Sequence, residues 1–118
     1  MIPTYLRTDK IYKKYLFKQK KDSIFHLKVV KQYKYWRIVK NEYPYDAIAS
    51  RHDLLVPERQ IKDIFLITKK EWQELKTLWR SFINNRHYDC ILIPLPWSQT
   101  FKGRIHFHLI KIKVRRAK

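Results

Sequence analysis

Gly103-Arg104-Ile105-His106-Phe107-His108-Leu109-Ile110 is the stretch on which the reading of this chain turns. Apolar and polar residues alternate through it, the period of a β-strand, whose neighbouring side chains project to opposite faces. His106 and His108 therefore share one face, while Ile105, Phe107 and Leu109 share the other. Two imidazoles on one surface suit a nucleophile or base with an orienting partner, or a pair of metal ligands. A plain polar strand face has the same pattern, so the surrounding sequence has to discriminate. Gly103 is the only glycine, and its place directly before the strand predicts a turn or bulge that aims the histidines. That scarcity also excludes a Gly-rich phosphate loop.

The chain of 118 residues fits a single domain, 1–118, large enough to bury a core without staples. One cysteine, Cys90, allows no internal disulfide; the lack of Cys clusters argues against a structural zinc site and for a reducing compartment. No apolar run reaches the roughly 18 to 20 residues of a membrane span, and the N-terminus lacks the apolar core of a signal peptide. A cytoplasmic protein is the expectation. The formal charge of +17, from 27 Lys and Arg against 10 Asp and Glu, attracts polyanions through its summed field. A Lys-rich genome composition produces the same bias, so charge alone defines no function.

Outward from the histidine strand, residues 8–21 place Ile11, Tyr12, Tyr15 and Leu16 on one stripe among lysines, a basic amphipathic helix with Thr8 as its cap. Residues 24–40 are β-branched and aromatic and hold at least one strand, clearest over 33–39. Asn41-Glu42-Tyr43-Pro44-Tyr45-Asp46 breaks it. A second strand spans 52–56 and stops at Pro57; the next apolar run, with Ile61, Ile64, Phe65, Leu66 and Ile67, has no assignable conformation. Thr68-Lys69-Lys70-Glu71 is a capping box. The helix it opens carries Trp72, Leu75, Trp79, Phe82 and Ile83 on its inner stripe and ends at Asn84-Asn85. Residues 88–93 read as a buried strand, and the last strand covers 104–114, with a basic tail over 111–118. His26 and His87 are expected at the surface. Helix, strand, strand, helix, strand, strand gives an α+β domain, an antiparallel sheet backed by helices.

The order of these motifs resembles the histidine triad family of nucleotide-binding hydrolases and transferases. The matching pieces are Trp36-Arg37-Ile38-Val39-Lys40-Asn41, Tyr43-Pro44-Tyr45-Asp46, His52-Asp53-Leu54-Leu55-Val56-Pro57-Glu58-Arg59, Ile67-Thr68-Lys69-Lys70-Glu71 and the histidine strand, together spanning residues 33–113. The family strand carries three alternating histidines, and this one carries two. In one register Arg104 replaces the first histidine, His106 is the nucleophile and His108 the third. In the other, His106 is first, His108 is the nucleophile and Ile110 replaces the third. The tail His108-Leu109-Ile110-Lys111 favours the former.

The resemblance implies a HIT-like sheet and a nucleotidyl-histidine intermediate formed on the α-phosphate of a nucleoside phosphate conjugate. His106 and His108 are then the catalytic pair. Trp36 and Ile38 border the base, Asn41 reaches the ribose, His52 supports the pocket, and Ser98, Gln99, Thr100 and Arg104 face the phosphates. Arg104 supplies permanent charge and a fork of donors, but it cannot shuttle protons. No cofactor is implied, and relatives of this kind often form homodimers. The competing expectation is a catalytically degenerate binder of RNA, DNA or a ribosomal surface, using the basic first helix and tail. A third is metal-dependent hydrolysis on His52, His106 and His108, for which no carboxylate stands at a diagnostic spacing.

Overall fold

The computed structural model describes residues 6–18, 27–95, 97 and 103–113. Helix α1 (Asp9–Lys18) is followed by β1 (Val29–Gln32), β2 (Trp36–Lys40), β3 (Ala49–Pro57), a single 3-10 turn (Ile64–Leu66), α2 (Lys69–Asn85), β4 (Cys90–Leu92) and β5 (Phe107–Ile112). The five strands form one antiparallel sheet in the order β1-β2-β3-β5-β4. This is the expected α+β class, with one more strand than the sequence pattern predicts.

The additional strand comes from residues 29–40, a hairpin of two strands where the sequence pattern marked at least one. Tyr33 donates its N–H to the Trp36 carbonyl at 2.9 Å and closes the turn, so β2 begins only at Trp36. β1 lies at the sheet edge and is exposed on both faces, which is why its residues show no burial period. The strand expected over 88–93 is also shorter. β4 is an edge strand of three half-buried or exposed residues, and Ile93 is exposed.

One face of the sheet makes the main core. Trp36, Ile38, Leu55, Ile105, Phe107 and Leu109 pack against Leu75, Leu78 and Phe82 of α2. The alternation around the histidines is therefore real, although β5 starts at Phe107 and residues 104–106 precede it. Gly103 lies in a turn, as expected, and adopts the left-handed φ of +72°; its carbonyl accepts from Gln60 Nε2 at 3.0 Å. Ile105 then donates its N–H to the Ile61 carbonyl at 2.7 Å.

Helix α2 starts where the capping box put it. Thr68 Oγ1 accepts from the Glu71 N–H, Glu71 Oε1 accepts from the Thr68 N–H at 2.8 Å, and Arg59 grips both Glu71 oxygens at 2.8 Å. Glu74 Oε1 accepts from the N–H groups of Tyr35 (2.8 Å) and Trp36 (3.1 Å), and the Trp36 indole donates to the Glu71 carbonyl at 2.8 Å. Both acidic side chains of the helix thus serve to seat it. Its buried stripe is Leu75, Leu78 and Phe82, with Trp72 and Trp79 partly buried. Ile83, expected on that stripe, is 76% exposed, because Leu78 takes the inward position. Helix α1 is tied by its head to the β2–β3 loop: the Thr8 N–H and hydroxyl both bond the Asp46 carboxylate at 2.7 Å. The Thr8 hydroxyl is therefore committed to that loop. Residues 19–21 of the expected helix and 114–118 of the basic tail lie outside the described residues. No helix among the described residues is long and apolar enough to cross a membrane.

Leu55 is fully buried between β2, β5 and α2. Leu55→Ala is expected to lower the unfolding free energy by about 2–5 kcal/mol, measured by urea titration. A loss below about 0.5 kcal/mol contradicts this core assignment.

Candidate active site

The face of the sheet turned away from α2 carries the histidines, because Leu54 pairs with His108, and His52 with Ile110, across β3 and β5. Leu54, Val56, Val39 and Leu27 form a small apolar cluster on that side, and Tyr45, Ala49 and Ile110 form another. His106 is 0% exposed and His108 4% exposed. The polar pair is thus walled in by apolar neighbours.

The β2–β3 loop brings a backbone donor to this cluster. Asn41 Oδ1 accepts from the Tyr43 N–H at 2.9 Å, an Asx turn that shapes the loop. The loop then presents the Tyr45 N–H to His52 Nδ1 at 2.9 Å. A backbone N–H only donates, so Nδ1 of His52 accepts, and the proton of the neutral ring lies on Nε2. His52 Nε2 stands 2.8 Å from His108 Nδ1, and donation across that pair places the His108 proton on its own Nε2. Direction is thereby passed from a main-chain amide through two imidazoles. The Tyr45 ring stacks on His108, with centroids 5.2 Å apart and planes 21° apart. The Arg7 guanidinium lies 4.7 Å from the Tyr45 centroid, and its Nε donates to the Tyr43 carbonyl at 2.8 Å. The Asn41 amide nitrogen lies 3.2 and 3.3 Å from the two ring nitrogens of His52.

His106 has the opposite tautomer. Its Nδ1 is 3.2 Å from the Arg104 carbonyl, an oxygen that only accepts, so Nδ1 carries the proton and Nε2 the lone pair. The His106 and His108 rings are 5.1 Å apart, centroid to centroid. A lone pair on one ring and an N–H on the other are the elements of a nucleophile beside a donor.

Electrostatics keep the cluster neutral. Burial pushes His106 down to about 4. Burial, with help from the Arg7 charge, pushes His52 down to about 3. His108 falls well below the usual imidazole value through burial and then through His106, His52 and Arg7. Arg104 is also pushed down from its ordinary value, by burial first and then by Arg37. Arg37 is itself paired bidentately with Glu58 at 3.0 Å. Arginine stays charged under any such shift.

The structure brings His52, His106, His108 and Asn41 together and puts the Arg104 backbone against His106. Trp36 and Ile38, which the resemblance assigns to a base pocket, sit instead in the core under α2. Alternation along β2 puts Val39, the partner of Leu54, on the histidine side. Ser98, Gln99 and Thr100 lie outside the described residues, as does His26; His87 is exposed, as expected. Sequence reasoning missed two contributors. Tyr45 stood inside a quoted motif but carried no assigned role, and Arg7 had no local signal among so many basic residues. A groove of about 400 Å³ lined by Asn41, Pro44, Asp46, Arg51, His52 and Asp53, among others, reaches the cluster at His52. Among the described residues no three His, Cys, Asp or Glu side chains are placed to hold a metal ion. His52 and His108 are bonded to each other rather than aimed at a common point.

These lowered values carry a sign. An unfolded histidine takes up its proton near 6.5, whereas the folded rings resist until far lower pH, so the unfolded state binds more protons through the interval between. Stability is full above about pH 7 and falls as pH drops from 6.5 toward 4, with a slope of up to about 1.4 kcal/mol per pH unit for each ring kept neutral. Urea titrations over that range check it, and stability that stays flat from pH 7 to 5 contradicts the neutral cluster. Compared with known proteins, the chain matches no family model and no curated protein sequence.

Proposed function

We propose that this chain is a histidine-triad-like protein that binds a nucleoside phosphate conjugate and transfers its nucleotidyl group through His106. The observation that carries the reading is the contact from His106 Nδ1 to the Arg104 carbonyl. It leaves Nε2 as a lone-pair nucleophile on a ring whose pKa, near 4, keeps it unprotonated at neutral pH. It also supports the register in which Arg104 occupies the first position of the triad, His106 the second and His108 the third.

In this reading Nε2 of His106 attacks the α-phosphorus and forms an N–P bond. The bond from phosphorus to the leaving group breaks, and the leaving group departs with the electron pair. Water then attacks the same phosphorus and gives up one proton to solvent, the N–P bond breaks with its electron pair returning to Nε2, and the nucleoside monophosphate is released. The Arg104 guanidinium offers fixed positive charge to the phosphoryl oxygens, and His108 offers its Nε2–H. Ser98, Gln99 and Thr100 join the phosphate contacts by resemblance. With both rings covered, a substrate reaches Nε2 only when the side chains over them are displaced.

That burial favours a second reading, in which the imidazoles are a structural network and the charge of +17 binds RNA, DNA or a ribosomal surface without catalysis. Single-turnover reaction with an adenylate labelled at its α-phosphate separates the two. The first reading expects an acid-labile, base-stable label on the wild type and none on His106→Ala or His106→Gln of unchanged circular dichroism. A wild type that acquires no label removes the chemistry and leaves the binding reading.

A further inference from the structure

The exposed side of α2 has a charge pattern that nothing at the imidazole cluster uses. Lys69, Lys70, Gln73, Lys76, Thr77 and Arg80 are all exposed. The two glutamates of the helix face inward, Glu71 held by Arg59 and Glu74 by the Tyr35 and Trp36 amides. No carboxylate is left on the outer side, and no ion pair among the described residues involves Lys69, Lys76 or Arg80. At 100° per residue, Lys69, Lys76 and Arg80 fall within a strip about 40° wide, separated along the axis by about 10 and about 6 Å. Gln73 lies between them, and a shallow hollow of about 480 Å³ is lined by Gln73, Lys76, Thr77 and Arg80. At the head of the same helix, the Phe65 ring is 92% exposed. Its backbone is pinned: Asp63 Oδ1 accepts from the Phe65 N–H at 2.9 Å, and Arg59 donates to the Leu66 carbonyl at 2.8 Å.

We propose that the outer face of α2, headed by Phe65, is a docking surface for single-stranded nucleic acid. Aligned, unneutralised cations follow a phosphodiester backbone, and an exposed ring on a fixed turn gives a platform for one unpaired base. A duplex keeps its bases stacked within itself and has no use for that ring. The exposed apolar side chains near this face stand only at its two ends, Phe65 and Leu66 at the head of α2 and Ile83 in its last turn, with none between Lys69 and Arg80, so they make no continuous apolar face to enter the acyl boundary of an anionic membrane. The inference rests on the polyanion reading for its class of ligand and on none of the chemistry at His106.

Fluorescence anisotropy with a short mixed-sequence single-stranded RNA, over a series of salt concentrations, tests it. Lys69→Ala/Lys76→Ala/Arg80→Ala should reduce the slope of log K against log salt by about 2, since each phosphate contact on a single strand contributes about 0.7. Phe65→Ala should weaken binding about ten-fold with the slope unchanged, the signature of lost stacking. Lys28→Ala/Lys31→Ala/Lys34→Ala, exposed in and beside the β1–β2 hairpin, should retain the wild-type slope. All four proteins should share one unfolding free energy by urea titration within about 0.5 kcal/mol, because every change is on the surface. A triple α2 variant with wild-type slope and affinity overturns the assignment of this face while the polyanion reading stands. So does capture by phosphatidylserine vesicles, lost in that variant, with no binding of RNA. A wild type that ignores RNA at low salt overturns both.

Discussion

Two buried, uncharged imidazoles hydrogen-bonded across the central strands β3 and β5 set the terms for this structure. The His52–His108 contact at 2.8 Å crosses the same strand pair whose other side, through Leu55 and Phe107, anchors the core under α2. A charged ring there would face desolvation costing several kcal/mol, so the fold tolerates the cluster only while each ring is neutral and donors match acceptors. The Tyr45 amide meets the second of those demands by fixing the order of protons. The β2–β3 loop is therefore part of the site's chemistry as well as a connection.

The same order of protons gives the cluster chemical direction. His52 and His108 are aligned as successive donors, while His106, turned by the Arg104 carbonyl, keeps its lone pair on Nε2. Tyr45 stacks on His108 and Arg7 lies over the Tyr45 ring, and Thr8 ties the segment of Arg7 to Asp46. A cation so close would raise the energy of an imidazolium, which is one reason the rings titrate low. Burial that keeps His106 unprotonated also shields it, so in the proposed reading activation and access oppose one another.

Local rules made part of this legible in the sequence. The alternation around His106 and His108, the turn at Gly103 and the capping box at Thr68 and Glu71 each depend on a few consecutive residues, and each occurs at the residues that predict it. The turn at 33–35 escaped because Tyr33, Lys34 and Tyr35 lack Gly, Asn or Pro; the hairpin is closed by register, with Glu74 of α2 holding its far side. Trp36 and Ile38 illustrate a different limit. Their strand was recognisable, but which face meets α2 is decided by pairing with Leu55 and Phe107, a long-range fact. Arg7 became visible only in three dimensions, since nothing local separates it from the many other basic residues.

Nitrogen-15 spectra of the imidazole rings at neutral pH address the central claim directly. The account predicts three neutral rings, with the proton on Nδ1 of His106 and on Nε2 of both His52 and His108. A protonated ring in this cluster, or a His106 proton on Nε2, would contradict it, because the lone pair assigned to the nucleophile would then be absent.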